Sequence, residues 1–139
     1  MSDKQKSHQS TIHSPSIPPG YKQTEVGVIP EDWYIKKLGC IANIATGNTP
    51  PTQDTSNYGD EYLFVSPVDL GYSKLITKTE KMLSKKGFLT SRQFPVGSVL
   101  FVCIGSTIGK CGIASETLTS NQQILPYHSN SHFAQIVRI

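Results

Sequence analysis

Phe101–Ala114 reads FVCIGSTIGKCGIA, and it separates two folds. A phosphate loop here would make the chain a nucleotide-binding α/β protein, whereas a hairpin would make it strand-rich. A phosphate loop needs two glycines separated by four residues, then lysine, then Ser or Thr for the metal, and it opens a helix. Gly105 and Gly109 are separated by three residues, Cys111 follows Lys110, and Gly112 follows Cys111. Glycine at that point disfavours a helix. The flanks fit strands better. Ser98–Ile104, SVLFVCI, is β-branched and apolar, and Lys110–Ala114 supplies a second apolar run across a Gly105–Gly109 loop. On this reading Ser106, Thr107 and Lys110 stand at an exposed strand connection, where function often sits.

Working outward, other strands are expected at Glu61–Val65 (EYLFV) and in NQQILPY, headed by Asn121 and Gln122. Tyr34–Ile44 reads as a strand leading into a short amphipathic piece. Thr46–Gly59, TGNTPPTQDTSNYG, is a long polar loop stiffened by Pro50 and Pro51; loops of this length are functional or disordered in compact domains. SPVDLG should end the Glu61–Val65 strand with Ser66 and Asp69 exposed. A short helix is expected within Thr77–Arg92, stopping near Gly87. Pro30 with Glu31 and Asp32 suits a turn, with Trp33 anchoring the segment on the core. Ser131 suits the cap of a helix over Ser131–Val137. The expected fold class is therefore mixed α/β (α+β): a twisted, strand-rich sheet with long polar loops and few short helices.

Length and composition bound the function. The chain has 139 residues, 37% of them hydrophobic, which suits one domain. No apolar run approaches the roughly 20 residues of a membrane helix, and the N-terminus has no apolar core of a secretory signal. Residues 1–19 read as a disordered tail, rich in Ser, Gln, His and Pro. Cys40, Cys103 and Cys111 have no CxxC spacing and lie in apolar or glycine-rich contexts. They read as small buried hydrophobes in a reducing, cytoplasmic setting, with a Cys103–Cys111 cross-strand pair left open. His128 and His132 are four apart, but Asn130 and Ser131 break the stretch and no third ligand is near, so no metal site is expected.

The net charge of +3 conceals an asymmetry. Lys74–Arg92 carries six basic residues and one acid, a net of +5, while Glu25–Asp69 carries seven acids and two lysines. A basic segment in a nearly balanced chain suits a phosphate backbone; it equally suits a solvated face that maintains solubility.

The series GYKQTEVGVIPEDW, KKLGCIANIATGNTP, FPVGSVLFVCIGSTIGKCGIA and TSNQQI, in that order, resembles one target recognition domain of the specificity subunits of type I restriction-modification systems. The resemblance covers about Gly20 to Ile139. It implies a non-catalytic DNA-binding module that reads one half of a bipartite target in double-stranded DNA. It implies no cofactor in this chain, since methylation subunits bind S-adenosylmethionine and restriction subunits supply cleavage. It implies that residues 20–139 form a single recognition domain, truncated at or near the start of the family's spacer helix. The GSTIGK stretch becomes a strand connection that binds no nucleotide.

Within such a domain, physics sorts the contacts. Lysine and arginine suit phosphates, which points to Lys85, Lys86, Arg92 and Lys110. Asn and Gln pair with adenine, and Ser or Thr contacts several bases. This points to Thr49, Gln53, Ser66, Asp69, Ser106, Thr107, Asn121 and Gln122. Polar loop residues also cap turns and satisfy backbone groups. A competing expectation is a protein-interaction fragment of such a complex that reads no DNA.

Overall fold

The structure, a computed structural model, describes residues 16–129. The helix expected over Ser131–Val137, His132 and most of the N-terminal tail lie outside the described residues. The chain divides into two compact units, one ending at Ile35 and the other beginning at Lys36.

The first unit is built on an antiparallel hairpin of β1 (Tyr21–Thr24) and β2 (Gly27–Pro30). The Thr24 hydroxyl donates to the Gly27 carbonyl at 2.6 Å and accepts from the Val26 N–H at 3.3 Å, which closes the turn. Gly27 adopts φ 113°, a conformation that glycine takes without strain. The expected turn after Pro30 forms, with the Trp33 N–H donating to the Pro30 carbonyl at 3.1 Å. Trp33 itself is 48% exposed. The Lys22 ammonium donates to the Glu31 carbonyl at 2.7 Å and lies 4.9 Å from the centre of the Tyr34 ring.

Among the described residues the second unit has ten strands: β3 (Ala42–Ile44), β4 (Tyr58–Gly59), β5 (Tyr62–Val65), β6 (Leu75–Ile76), β7 (Lys81–Leu83), β8 (Gln93–Phe94), β9 (Val99–Val102), β10 (Cys111–Ala114), β11 (Leu118–Ser120) and β12 (Ile124–Ser129). The α-helix α1 (Lys85–Thr90) stands among them. The strands make two five-stranded sheets, β3-β12-β9-β10-β6 and β4-β7-β5-β11-β8. Pairing is antiparallel except at β10–β6 and β11–β5. The expected hairpin is present: β9 pairs with β10 with Cys111 opposite Phe101. A strand, not a helix, follows the glycine loop.

Strand alternation builds the layers. Leu63 and Val65 of β5 join Leu100 and Val102 of β9, Ile124 of β12 and Leu118 of β11 in one cluster, so the two sheets pack face to face. Phe64, between them in sequence, points the other way and packs with Leu83 and Phe88, bringing α1 onto the outer face of the second sheet. Tyr62, on the same face, stacks on Phe88 at 4.0 Å.

Three local expectations change. Tyr34–Ile44 has the order reversed, with a 3-10 turn at Leu38–Cys40 and the strand only from Ala42. Helix α1 runs through Gly87 rather than stopping there, because Ser84 caps it by accepting from the Gly87 N–H at 3.3 Å, and Gly87 meets the backbone of Asn57, where a Cβ would lie 2.0 Å from the carbonyl oxygen. The cysteines are not buried: Cys40 and Cys111 are exposed and Cys103 is half-buried, and all three are free thiols. In β10 the inward positions belong to Gly112 and Ala114, so alternation turns Cys111 outward. Among the described residues no helix is long and apolar enough to cross a membrane.

Candidate functional site

The long polar loop is pinned at both ends. At its start Gly47 lies so close to β11 that a Cβ there would sit 2.1 Å from the Ser120 carbonyl oxygen. Arg92, just past α1, clamps the residues on either side. Its Nη1 donates to the Thr46 carbonyl at 2.6 Å, and its backbone N–H donates to Asn48 Oδ1 at 2.7 Å. The next residue, Thr49, donates from Oγ1 to Gln122 Oε1 at 2.7 Å. Two residues expected to contact bases, 73 positions apart in sequence, thus touch.

At the far end Asp54 caps the 3-10 turn Thr55–Asn57 by accepting from the Ser56 N–H at 3.1 Å. Lys86 of α1 reaches back to Asp54 Oδ2 and to Ser56 Oγ, both at 2.6 Å. The Lys86 ammonium and the Ser56 donors hold the Asp54 carboxyl at about 2, below its ordinary 3.8. Lys85, the first helical residue, is exposed, as is Gln53 in the loop.

Gln122 belongs to a tight turn. Asn121 Oδ1 accepts from the Gln123 N–H at 3.1 Å, its Nδ2 donates to Gln123 Oε1 at 3.2 Å, and its own N–H donates to the Val65 carbonyl at 3.0 Å. Asn121 therefore holds the turn while Gln122 is exposed. On the other side of this turn lies the β9–β10 connection. The Cys103 N–H donates to the Gln123 carbonyl at 3.1 Å, and a Cβ at Gly105 would come 3.8 Å from Gln123 Nε2. Gly105 and Gly109 take φ 102° and 97°, which lets the chain reverse around Ser106 and Thr107. Ser106 is exposed and Thr107 half-buried, its carbonyl accepting from the Lys110 N–H at 3.2 Å.

Three chain segments, 46–57, 103–110 and 121–123, thus join through hydrogen bonds and close approaches into one strip, and α1 borders it through Lys86. Thr49, Gln53, Gln122 and Ser106 are among its exposed polar side chains. Ser66 and Asp69 are half-buried, not exposed, and serve a different end. Asp69 Oδ2 accepts from the Ser66 N–H and hydroxyl at 2.8 and 2.9 Å, and Oδ1 accepts from the Glu80 N–H at 2.7 Å. Both carboxylate oxygens are engaged in holding that turn. Lys110 runs its aliphatic stem past Gly71, whose φ is 93°, and places its ammonium 5.4 Å from the centre of the Tyr72 ring.

Sequence reasoning missed Gly47, Asn48, Asp54 and Gln123, which position the strip. Pro-Pro stiffening marked the loop, but nothing local shows which segment a loop carbonyl or amide will meet. Among the described residues no three His, Cys, Asp or Glu side chains come together as a metal site would need.

No family model matches the chain. It is 33% identical over 106 residues to the type I restriction enzyme MjaIX specificity subunit of Methanocaldococcus jannaschii, a match covering 73% of this chain and 24% of that protein. It is 31% identical over 98 residues to the type I restriction enzyme HindI specificity subunit of Haemophilus influenzae, covering 69% of this chain and 21% of that protein. The chain thus spans less than a quarter of the length of these curated relatives.

Proposed function

Because this chain is a homologue, over a limited segment, of the type I restriction specificity subunits, we propose that residues 20–139 are a target recognition domain that reads half of a two-part DNA sequence. In this reading the chain is not catalytic, and methylation and restriction chemistry reside in partner subunits. The observation that carries it is the strip of three converging loops. It offers hydroxyls and amides from segments far apart in sequence, held by the protein's own backbone bonds and bordered by the lysines of α1. Hydroxyl and amide groups suit base edges, and lysines suit phosphates. Thr49, Gln53, Ser106, Thr107 and Gln122 are the base readers in this reading, and Lys85 is a phosphate contact.

The test is a binding selection from a pool of duplexes with a randomised central window, followed by titration of enriched and scrambled duplexes at several salt concentrations. The expected result is an enriched sequence that binds more tightly than its scrambled form. The logarithm of affinity should fall with the logarithm of salt by about 0.9 per phosphate neutralised. A folded protein that enriches no sequence and binds no duplex at low salt would overturn this reading in favour of a protein-interaction role.

A further inference from the structure

We propose that Thr49 and Gln122 act as one reading unit, and that Arg92 with Asn48 positions that unit instead of contacting phosphate. This rests on the DNA-reading function proposed above. Gln122 carries an amide whose two ends differ, one accepting and one donating, so reading a base requires the amide to face one way. Thr49 supplies that orientation by donating to Gln122 Oε1 at 2.7 Å. The bond is exposed and joins segments 73 residues apart, so it persists only if both backbones are held.

Both are. Gln122 sits between Asn121 and Gln123, whose mutual bonds and tie to Val65 fix the turn. Thr49 follows three residues that are each restrained. The Thr46 carbonyl accepts from Arg92 Nη1, Gly47 lies against Ser120 and Asn121, and Asn48 Oδ1 accepts from the Arg92 N–H. Arg92 thus commits a guanidinium N–H, at Nη1, to a loop carbonyl and its backbone donor to a loop side chain. Arginine binds phosphate best with two parallel N–H bonds from its fork, and holding the Thr46 carbonyl with Nη1 occupies one edge of that fork while fixing the loop. The side chain that the charge pattern marks as electrostatic is, in its contacts, a clamp on the reading loop.

The experiment uses the chain with the randomised duplex pool, comparing Arg92→Ala, Asn48→Ala, Asn48→Asp, Thr49→Val and Thr49→Ser with the wild type. An amide that reads a base discriminates by about 5- to 150-fold. Arg92→Ala, Asn48→Ala and Thr49→Val should each erase most of that preference at the same base-pair position and leave the salt slope unchanged. Thr49→Ser keeps the hydroxyl and Asn48→Asp keeps the acceptor, so both should retain the preference. Arg92→Ala that flattens the salt slope by about one, the signature of a single lost phosphate contact, while preserving the preference would overturn the proposal. So would Thr49→Val with wild-type selectivity. Amide exchange of residues 46–49 in the free protein gives a second readout that needs no DNA. Exchange should accelerate in Arg92→Ala and Asn48→Ala, and unchanged protection would overturn the clamp. If the wild type selects no duplex, the DNA-reading function fails while amide exchange still judges the clamp.

Discussion

Lys86 Nζ lies 2.6 Å from Asp54 Oδ2, and this ion pair ties the start of α1 to the end of a loop 32 residues earlier. Both side chains are about half exposed, at 55% and 46%, so the pair matters for the position of the loop more than for global stability.

The first prediction follows from that pair. Asp54 titrates at about 2 instead of 3.8, chiefly because of the Lys86 hydrogen bond, with the Ser56 hydroxyl and backbone adding to it. A carboxyl with a depressed folded pKa contributes stability above its unfolded value and loses it as pH falls through the folded one. The Asp54 contribution is therefore intact above about pH 4 and fades between pH 4 and 2. Lys86→Met should move the Asp54 titration up toward 3.8, read from side-chain carboxyl shifts by NMR. A midpoint still near 2 in that variant would show that Lys86 is not its main cause.

A glycine pair supplies the second. Replacing glycine by alanine inside a helix ordinarily stabilises by about 1 kcal/mol. At Gly87 the new Cβ would stand 2.0 Å from the Asn57 carbonyl oxygen, and forcing atoms into a packed site costs about 1–3 kcal/mol. Gly87→Ala should therefore destabilise, against its helix propensity. Gly39→Ala, with nothing within 4 Å, should be close to neutral. Denaturant unfolding of both variants checks the contrast, and equal midpoints would refute the close approach.

Leu100 belongs to the core between the sheets and is fully buried. Truncating such a leucine costs the lost burial plus a cavity, about 2–5 kcal/mol. Leu100→Ala should lower the denaturant midpoint far more than Leu89→Ala, since Leu89 is 63% exposed. Comparable losses at the two positions would contradict the packing described.

The thiols give a chemical check. Cys40 and Cys111 are exposed, whereas the Cys103 thiol, half-buried, donates to the Gln123 carbonyl at 3.4 Å. A maleimide added to the native protein should modify Cys40 and Cys111 first and Cys103 last, as followed by peptide mass mapping. Early labelling of Cys103 would place it outside the turn contact.

Lys85 tests the electrostatic half of the proposed function. Lys85→Ala should weaken binding to enriched and scrambled duplexes alike and flatten the salt slope by about one, as expected for a single phosphate contact. A change in sequence preference without a change in slope would make it a base reader instead.

The sequence by itself determined part of where the backbone is extended and where it turns. The strands expected at Ser98–Ile104, Glu61–Val65 and in NQQILPY formed over Val99–Val102, Tyr62–Val65 and Ile124–Ser129, the last without Asn121 and Gln122; Gly105 and Gly109 bracketed a reversal, and the missing fourth spacer residue argued for a hairpin over a phosphate loop. These are local matters of side-chain period and of which residues accept a positive φ. Only the tertiary structure decided that β10 pairs with β6 and β11 with β5 in parallel, that Cys111 faces outward, that Asp69 and Asn121 hold turns, and that Arg92 grips Thr46 and Asn48. Each depends on which distant segment arrives beside a residue. A polar side chain reads the same in sequence whether its hydrogen-bond partner is a carbonyl 46 residues away, as at Arg92, or solvent. Chain packing chooses between the two by deciding which segments lie side by side, and where a backbone group is buried it must then find a partner.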